Sequence, residues 1–261
     1  MADPADVLRD PTRLAALRET ALLDTGPEEE FDRLTRLAAR LLGSPAAMLS
    51  LVAGDRQVFK SMSGPAAAGL PLEIPLTHSF CKHAVAAAAP LVVPDAAADP
   101  RFAGNPAVAL GVAAYLGVPL ITRGGHALGT LCVSEPAPRA WTDDDVRALT
   151  DLAEVAVAEI ERRRAEAQAR RSEETLLAAE EMFRGIVEQS LAGIYVVQDE
   201  RFSYVNPGFA EIFGYPREAL MGGMHVLDLV DAENRANAAA GLMRRLHGDA
   251  PDFRTTFRGL R

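Results

Sequence analysis

From Thr142 to Arg184 the sequence contains neither glycine nor proline, and this segment lies in the longest such stretch of the chain. It opens on Thr142 followed three residues later by Asp145, which is the spacing of a capping box at a helix start. Because no helix-breaking residue follows until Gly185, the sequence predicts one continuous helix of about 40 residues and about 60 Å. A chain of 261 residues built around such a helix is expected to form two small domains, one on each side of it.

The apolar residues of this helix are concentrated towards its two ends. Between the ends, residues 161–174 are almost entirely charged or small, so this part cannot be buried in a core. We expect the first apolar side to line the seam of a parallel homodimer, so that replacing Ile160 with glutamate abolishes dimerisation without unfolding the chain. A plain exposed linker between domains stays open as an alternative. The residues expected in the seam are Leu149, Leu152, Ala156 and Ile160.

Strand patterns occur in pairs on both sides of the long helix. Turn residues such as Gly124-Gly125 separate the two members of each pair, and a loop rich in proline, glycine and alanine is expected up to Pro75. Helical patterns accompany each set of strands. The sequence therefore predicts an α+β fold, with two domains that are each an antiparallel sheet flanked by helices, joined by the long helix. The expected strands are 46–52 with 56–62, 112–122 with 127–133, 193–197 with 201–205, and a last one at 253–257.

Composition excludes several classes of function. The net charge of −9 argues against nucleic acid and anionic membranes as partners, because both are bound by clustered Lys and Arg. No apolar run reaches the roughly 20 residues of a membrane-spanning helix, and the first residues lack the pattern of a signal peptide. Two cysteines are too few for a disulfide framework. The expectation is a cytoplasmic protein.

Six separated blocks of the first half occur in the order found in GAF domains. Their presence makes residues 1–162 resemble the GAF domains at the front of bacterial sensor kinases and diguanylate cyclases. The resemblance implies a central antiparallel sheet with helices packed against it and a small-molecule pocket on one face. The blocks are 22–25 (LLDT), 28–32 (EEEFD), 79–84 (SFCKHA), 90–95 (PLVVPD), 99–102 (DPRF) and 129–133 (GTLCV).

The second half, over residues 183–261, resembles a PAS domain. A complete PAS domain continues with two further strands after 253–257, so this domain is expected to be incomplete at its C-terminal end. The connecting helix, 142–185, would overlap both domains. The blocks that carry this resemblance are 183–190 (FRGIVEQS), 204–209 (YVNPGF) and 213–215 (FGY).

Known catalytic motifs are missing from the sequence. None of the five histidines is followed by an acidic residue, as in the phospho-accepting helix of histidine kinases, and there is no glycine-rich nucleotide-binding stretch. The double glycines do not form a diguanylate cyclase signature. Residues 218–220 spell EAL, the name of a phosphodiesterase motif, but lack a carboxylate-rich context for metal ions. The chain is therefore expected to have no catalytic residue, and its parent protein to be a sensor histidine kinase or, next, a diguanylate cyclase.

Cys81 lies in the only tight cluster of possible metal ligands, with His78 and His83. On a helix His83 would point nearly opposite Cys81, so the three cannot converge on one ion, and no metal site is expected. A remote alternative follows from GAF-like proteins that reduce free methionine sulfoxide, because Cys81 falls near one of their cysteine positions. Cys132 matches none of the others and is interpreted as an interior strand residue.

Neither the GAF resemblance nor the PAS resemblance predicts a covalently bound chromophore. Bilin-binding GAF domains carry a cysteine near the stretch that is 105–115 here, and flavin-binding PAS domains carry one in the segment that is 217–229 here; neither stretch has a cysteine. Haem-binding PAS domains use a histidine on the helix that is 232–246 here, and that helix has none. We expect no bilin, no flavin adduct and no haem.

The resemblance does imply a pocket for an unknown small molecule in the first domain. The chain is then a signal-input module that senses a ligand or a partner and passes the signal through a dimeric helix to an output domain. The alternative from another class is a ligand-free scaffold that serves only for dimerisation. The residues expected to contact the ligand are Phe59, Phe80, Cys81, Val93, Phe102, Tyr115 and Leu131.

Overall fold

A computed structural model describes residues 4–23 and 25–246 of the chain. The chain divides into two units, Met1–Ala169 and Arg170–Arg261. The strand expected at 253–257, and with it the end of the domain expected over 183–261, lies outside the described residues. Within the described part, no helix is both long enough and apolar enough to cross a membrane.

Six antiparallel strands form the sheet of the first unit, in the order β3-β2-β1-β6-β5-β4. Both expected pairs, β1 with β2 and β5 with β6, are confirmed as neighbours. The prediction of a loop up to Pro75 is wrong for its last three residues, because they form a short edge strand that pairs with β2. Three residues are too few to show a strand pattern in the sequence. The strands are β1 (Ala46–Val52), β2 (Arg56–Ser63), β3 (Glu73–Pro75), β4 (Leu91–Val93), β5 (Ala114–Ile121) and β6 (Ala127–Glu135).

Local capping signals set the helix starts of the first unit. The capping box is confirmed: the Asp145 amide donates to Thr142 Oγ1 (3.0 Å) and the Thr142 amide donates to Asp145 Oδ2 (2.9 Å). Ser79 caps the helix that begins at Cys81, because its hydroxyl accepts from the Lys82 amide (2.9 Å). The helices are α1 (Pro4–Arg9), α2 (Pro11–Glu19), α3 (Glu29–Leu42), α4 (Cys81–Ala87), α5 (Pro106–Ala109) and α6 (Asp143–Glu188).

The sheet is covered on both faces, so the first unit has two apolar cores. One core packs the sheet against α2, α3 and the start of α6, and its largest fully buried side chains include Phe31 and Leu131. The other packs it against α4 and the loops on that side, and it contains Phe80 and Phe102. All seven residues of β1 are buried, because successive side chains of a central strand enter opposite cores.

The residues expected to form a dimer seam on α6 lie instead in the first of these cores. Leu149, Ala156 and Ile160 are each at most 1% exposed, and Leu152 is partly buried beside them. The apolar side of the helix start therefore covers the sheet of its own unit and is not free to form a seam. The sequence pattern could not distinguish these cases, since a sheet and a second helix demand the same apolar stripe.

The second unit contains a β-hairpin and short helices around a small apolar core. Its expected hairpin is confirmed, with two strands paired antiparallel. The core consists of aromatic and aliphatic residues, among them Phe202, Val205, Phe209 and Leu220. The elements are β7 (Tyr195–Gln198), β8 (Arg201–Val205), α7 (Pro207–Phe213), α8 (Arg217–Met221) and α9 (Arg235–Leu246).

Asn206 organises the start of this second unit. Its side chain is fully buried, and its Nδ2 donates to the carbonyls of Val187 (2.9 Å) and Ala192 (3.0 Å). Its Oδ1 accepts from the amides of Ile194 (2.8 Å) and Phe209 (2.9 Å). One side chain thus satisfies backbone groups of the end of α6, of the segment before β7 and of α7.

Candidate functional site

A cavity of about 550 Å³ lies on the α4 side of the first sheet. Four of the seven residues expected to contact a ligand line it, namely Phe59, Phe80, Cys81 and Tyr115. Val93 and Phe102 are buried in the same core but do not reach the cavity wall. The structure therefore brings six of the seven residues into one core, with four at the cavity itself.

Leu131 lies on the opposite face of the sheet. It is fully buried in the core under α3 and α6, whereas its neighbour Cys132 lines the cavity. Side chains alternate along β6, so only one of these two residues can face the cavity. The alternation of β6 predicts that Leu131 and Cys132 face opposite sides of the sheet, but it does not indicate which of the two faces the cavity.

Aromatic rings form one end of the site. The ring of Phe80 stacks on Phe102, with centroids 4.5 Å apart, and lies 5.2 Å from the ring of Tyr115. Tyr115 lies across Gly117, where an added Cβ would be 2.2 Å from the tyrosine hydroxyl oxygen. Gly117 thus leaves the space that lets the Tyr115 hydroxyl reach the sulfur atoms on the cavity floor.

Both cysteines of the chain meet at that floor. Cys81 is the first residue of α4 and Cys132 lies on β6, 51 positions later; both are buried and reduced, with sulfur atoms 3.9 Å apart. The Tyr115 hydroxyl donates to Cys81 Sγ (3.3 Å), and the Cys132 thiol lies 3.5 Å from the Met48 carbonyl. This pairing was not predicted from the sequence, in which Cys132 was interpreted as an interior strand residue.

The two thiols differ in acidity. Burial by itself raises the pKa of Cys81, but hydrogen bonds from Cys132 and Tyr115, among others, outweigh it and lower this pKa to about 6. The hydrogen bond to Cys81, together with burial, holds the pKa of Cys132 well above its usual range. The pair therefore favours a thiolate on Cys81 with the proton kept on Cys132.

A row of hydroxyl and amide groups continues from the sulfur atoms. Gln57 Nε2 donates to Ser50 Oγ (3.0 Å), and Ser79 Oγ donates to Gln57 Oε1 (2.5 Å). Thr130 lies opposite Ser50 on the neighbouring strand, and its buried Oγ1 has no hydrogen-bond partner among the described residues. This row was also missed, although Ser50, Thr130 and Cys132 are conspicuous as small polar or sulfur residues in otherwise apolar strands.

The histidines near Cys81 do not converge with it. His78 lies in a 3-10 turn before α4, and the ring of His83 packs edge-on against Phe102 at 5.0 Å. In the described parts of the chain, no three His, Cys, Asp or Glu side chains are close enough together to hold a metal ion. In the second unit, His225 caps a 3-10 turn and lies 3.0 Å from Glu200 through Nε2.

A buried ion pair lies on the other side of β2, next to the cavity wall. Phe59 lines the cavity, while the next residue, Lys60, has a side chain only 1% exposed and lies 2.5 Å from a carboxylate oxygen of Glu28. The other oxygen of Glu28 accepts from Arg163 of α6. The pKa of Glu28 is raised by burial but lowered more strongly by Lys60 and Arg163, so it ends below its ordinary value.

Comparisons with known proteins agree with this architecture. The family model described as GAF domain matches residues 26–160, and the one described as PAS domain matches residues 181–247. A cyclic di-GMP phosphodiesterase of Pseudomonas aeruginosa is 33% identical over 164 residues, which are 61% of this chain and 27% of that protein. The chain thus spans about a quarter of the length of this relative.

Two solved bacterial structures are among those similar to this chain. Free methionine-R-sulfoxide reductase from Neisseria meningitidis is 18% identical, with a TM-score of 0.44 over 64% of this chain and 95% of that one. The PixJ GAF domain of Thermosynechococcus elongatus is 21% identical, with a TM-score of 0.45 over 61% of this chain and 95% of that one. Since the GAF model matches more than half of the residues, the chain belongs to the GAF domain family, and a PAS domain follows its GAF domain.

Proposed function

We propose that this chain is the signal-input part of a bacterial signal-transduction protein and that its GAF domain takes up a small organic molecule in the α4 cavity. The observation that carries the proposal is the cavity itself, about 550 Å³ between the sheet and α4. This volume lies in the usual range for small-molecule sites. GAF and PAS domains are sensory modules, and their succession here supports a signalling role.

The cavity walls indicate the chemistry of the ligand. Phe59, Phe80 and Tyr115 offer apolar and aromatic surface, which suits a flat, mainly apolar molecule. The Cys81 sulfur at the floor and the Gln57 side chain in the wall add a few polar contacts to this apolar lining. This composition matches the general pattern of ligand pockets, in which a few polar groups orient a ligand held by apolar contacts.

The ion pair on β2 supports a route from the cavity to α6. A ligand that displaces Phe59 acts on the strand that also carries Lys60. Lys60 binds Glu28, and Glu28 binds Arg163 within the same unit. We propose that ligand occupancy changes this contact and so the position of the helix start on its sheet.

A parallel homodimer remains part of the proposal, but its seam is not the one first expected between Leu149 and Ile160. The part of α6 in the second unit carries exposed residues at alternating spacings of three and four, which is the a/d pattern of a two-stranded coiled coil. Leu176 and Phe183 are each 69% exposed and Ile186 is 59% exposed. Two copies of this stripe would cover each other. Its residues are Leu176, Ala179, Phe183 and Ile186.

Replacing Phe183 with glutamate is expected to convert a dimer into a monomer without loss of helix content. The side chain is exposed in the single chain, so the charge costs little there, but in a seam it would face its own copy. Light scattering of the full chain measures the change. Leu177→Glu is the matched control, because Leu177 is also exposed but lies outside the stripe. If both variants have the same mass in solution, the stripe does not form the dimer seam.

Native mass spectrometry of the untreated full chain tests the ligand proposal. The expected result is excess mass that disappears on denaturation. Ala107→Phe is expected to reduce that occupancy at least about tenfold, because Ala107 lines the cavity and a phenyl ring fills part of it. Ala109→Phe on the same short helix is the control, since Ala109 is exposed and outside the wall. Equal occupancy in both variants would place the ligand elsewhere, and no excess mass would favour the ligand-free scaffold.

The output of the parent protein is a separate proposal. A histidine kinase was the first expectation from the sequence, with a diguanylate cyclase next. The relative from Pseudomonas aeruginosa is a cyclic di-GMP phosphodiesterase, and this supports an output linked to cyclic di-GMP over a kinase. Measuring cyclic di-GMP in cells with and without the parent gene decides between the two.

A cysteine-based methionine sulfoxide reductase is the second candidate function. The observation in its favour is the pair of sulfur atoms 3.9 Å apart at the cavity floor, where hydrogen bonds lower the pKa of Cys81 to about 6. The test is reduction of free methionine sulfoxide by the full chain with a dithiol reductant. Absence of turnover, with the fold intact, ends this candidate.

A further inference from the structure

The two cysteines have the geometry of a reactive pair and not of two separate core residues. Their sulfur atoms are 3.9 Å apart, so a displacement of about 2 Å would bring them to the length of a disulfide bond. They come from different elements, the first turn of α4 and the middle of β6. Both line the cavity, so a small reagent in the cavity reaches them although neither is more than 3% exposed.

The surroundings of Cys81 are those of a nucleophilic thiolate. The Tyr115 hydroxyl donates to its sulfur (3.3 Å), and the Cys132 thiol lies within reach as a second donor. Burial, followed by the neighbouring sulfur atoms, keeps the pKa of Tyr115 well above its usual range, so Tyr115 stays a neutral donor at physiological pH. Cysteines in structural cores lack such donors and are inert.

We propose that Cys81 and Cys132 form a peroxide-responsive switch that closes to an intramolecular disulfide on the cavity floor. The Cys81 thiolate attacks one oxygen of a hydroperoxide, the O–O bond breaks, and the other oxygen leaves and is protonated to an alcohol or water. Cys81 is then a sulfenic acid. Cys132 attacks its sulfur, the S–S bond forms, and the S–O bond breaks with release of water.

The overall step balances. Two thiols and one hydroperoxide give one disulfide, one alcohol or water from the peroxide, and one further water; the two sulfur atoms lose two electrons and the peroxide gains them. A dithiol reductant reverses the step by thiol–disulfide exchange. The closed state draws the first turn of α4 towards β6 and so narrows the cavity, which couples redox state to ligand binding. The oxidation itself does not depend on the proposed ligand.

Intact-mass spectrometry of the full chain after brief hydrogen peroxide treatment tests the switch. The expected result is a loss of two hydrogen masses and loss of both alkylatable thiols after denaturation, with both restored by dithiothreitol. Digestion should yield a single cross-linked product that joins the peptides of Cys81 and Cys132. Thiols that remain alkylatable while added glutathione is fully oxidised would overturn the proposal. A disulfide between two chains on a non-reducing gel would overturn it equally.

Two variants separate the steps. Cys132→Ala is expected to gain one oxygen mass, in a form that reacts with dimedone, because no second thiol resolves the sulfenic acid. Cys81→Ala is expected to leave Cys132 unoxidised under the same conditions. Stable oxidation of Cys132 in the Cys81→Ala variant would show that the order of attack is wrong. The main measurement, the intact mass after peroxide treatment, uses the wild-type chain. It therefore tests the proposal even if one of the two variants does not fold.

Discussion

Replacing Ile160 with glutamate is expected to destabilise the GAF domain strongly, with a loss of roughly 4 kcal/mol or more in the free energy of unfolding. Ile160 is 1% exposed and packs in the core formed by the sheet, α3 and the start of α6. The substitution removes a large apolar side chain and buries a carboxylate without a partner. Since whole domains are stable by only about 5–15 kcal/mol, such a loss removes a large part of the stability of the domain and moves its unfolding transition to a much lower urea concentration.

Urea unfolding followed by circular dichroism measures this effect. Val155→Glu is the matched control, because Val155 lies on the same helix but is 53% exposed, and its free energy of unfolding should change by at most about 0.5 kcal/mol. The expectation from the sequence was the reverse, a folded Ile160→Glu variant that loses only its dimer. If that result is obtained, the start of α6 does not pack on its own sheet.

Replacing Glu28 with glutamine is expected to cost roughly 3 kcal/mol of stability at pH 7. The Lys60 ammonium is buried, and within the described residues Glu28 is the only carboxylate that pairs with it. Lys60 keeps hydrogen bonds to the carbonyls of Thr25 (3.3 Å) and Gly26 (2.7 Å), but its charge is no longer balanced. Arg163 on α6 loses one of its three carboxylate partners at the same time and keeps Glu159 (2.8 Å) and Glu30 (3.4 Å).

The stability cost of Glu28→Gln should depend on pH in a defined direction. The pKa of Glu28 is lowered in the folded state, so its contribution is fully present above the unfolded pKa and is lost as the pH falls through the folded pKa. The difference in unfolding free energy between the wild type and Glu28→Gln should therefore be constant near pH 7 and shrink below about pH 4.

Glu29→Gln is the control for this series. Glu29 pairs with Arg36, but its side chain is 62% exposed, so solvent screens the pair and little change is expected at any pH. Thermal melts between acid and neutral pH give both differences. A cost of Glu28→Gln that is equally small, or that grows as the pH falls, contradicts the buried ion pair and with it the proposed route from β2 to α6.

The sequence predicted the parts of the candidate site that depend on local or family signals. The resemblance to GAF domains placed Phe59, Phe80, Cys81 and Tyr115 near a pocket, and all four line the cavity. It did not reveal that Cys132 meets Cys81, because the two are 51 residues apart and no local pattern links them. The Lys60–Glu28–Arg163 contacts were missed for the same reason, since they join three separate elements.

The sequence by itself determined the secondary structure and the order of domains. Capping at Thr142, the absence of breakers up to Gly185 and the turn at Gly124-Gly125 act over a few residues, so the chain carries them wherever it folds. Only the tertiary structure decided which face each side chain covers. Leu131 and Cys132 are neighbours on β6 but belong to opposite cores, and the apolar side of α6 packs in the same core as Leu131. Burial depends on which elements meet, and that is a property of the assembled fold.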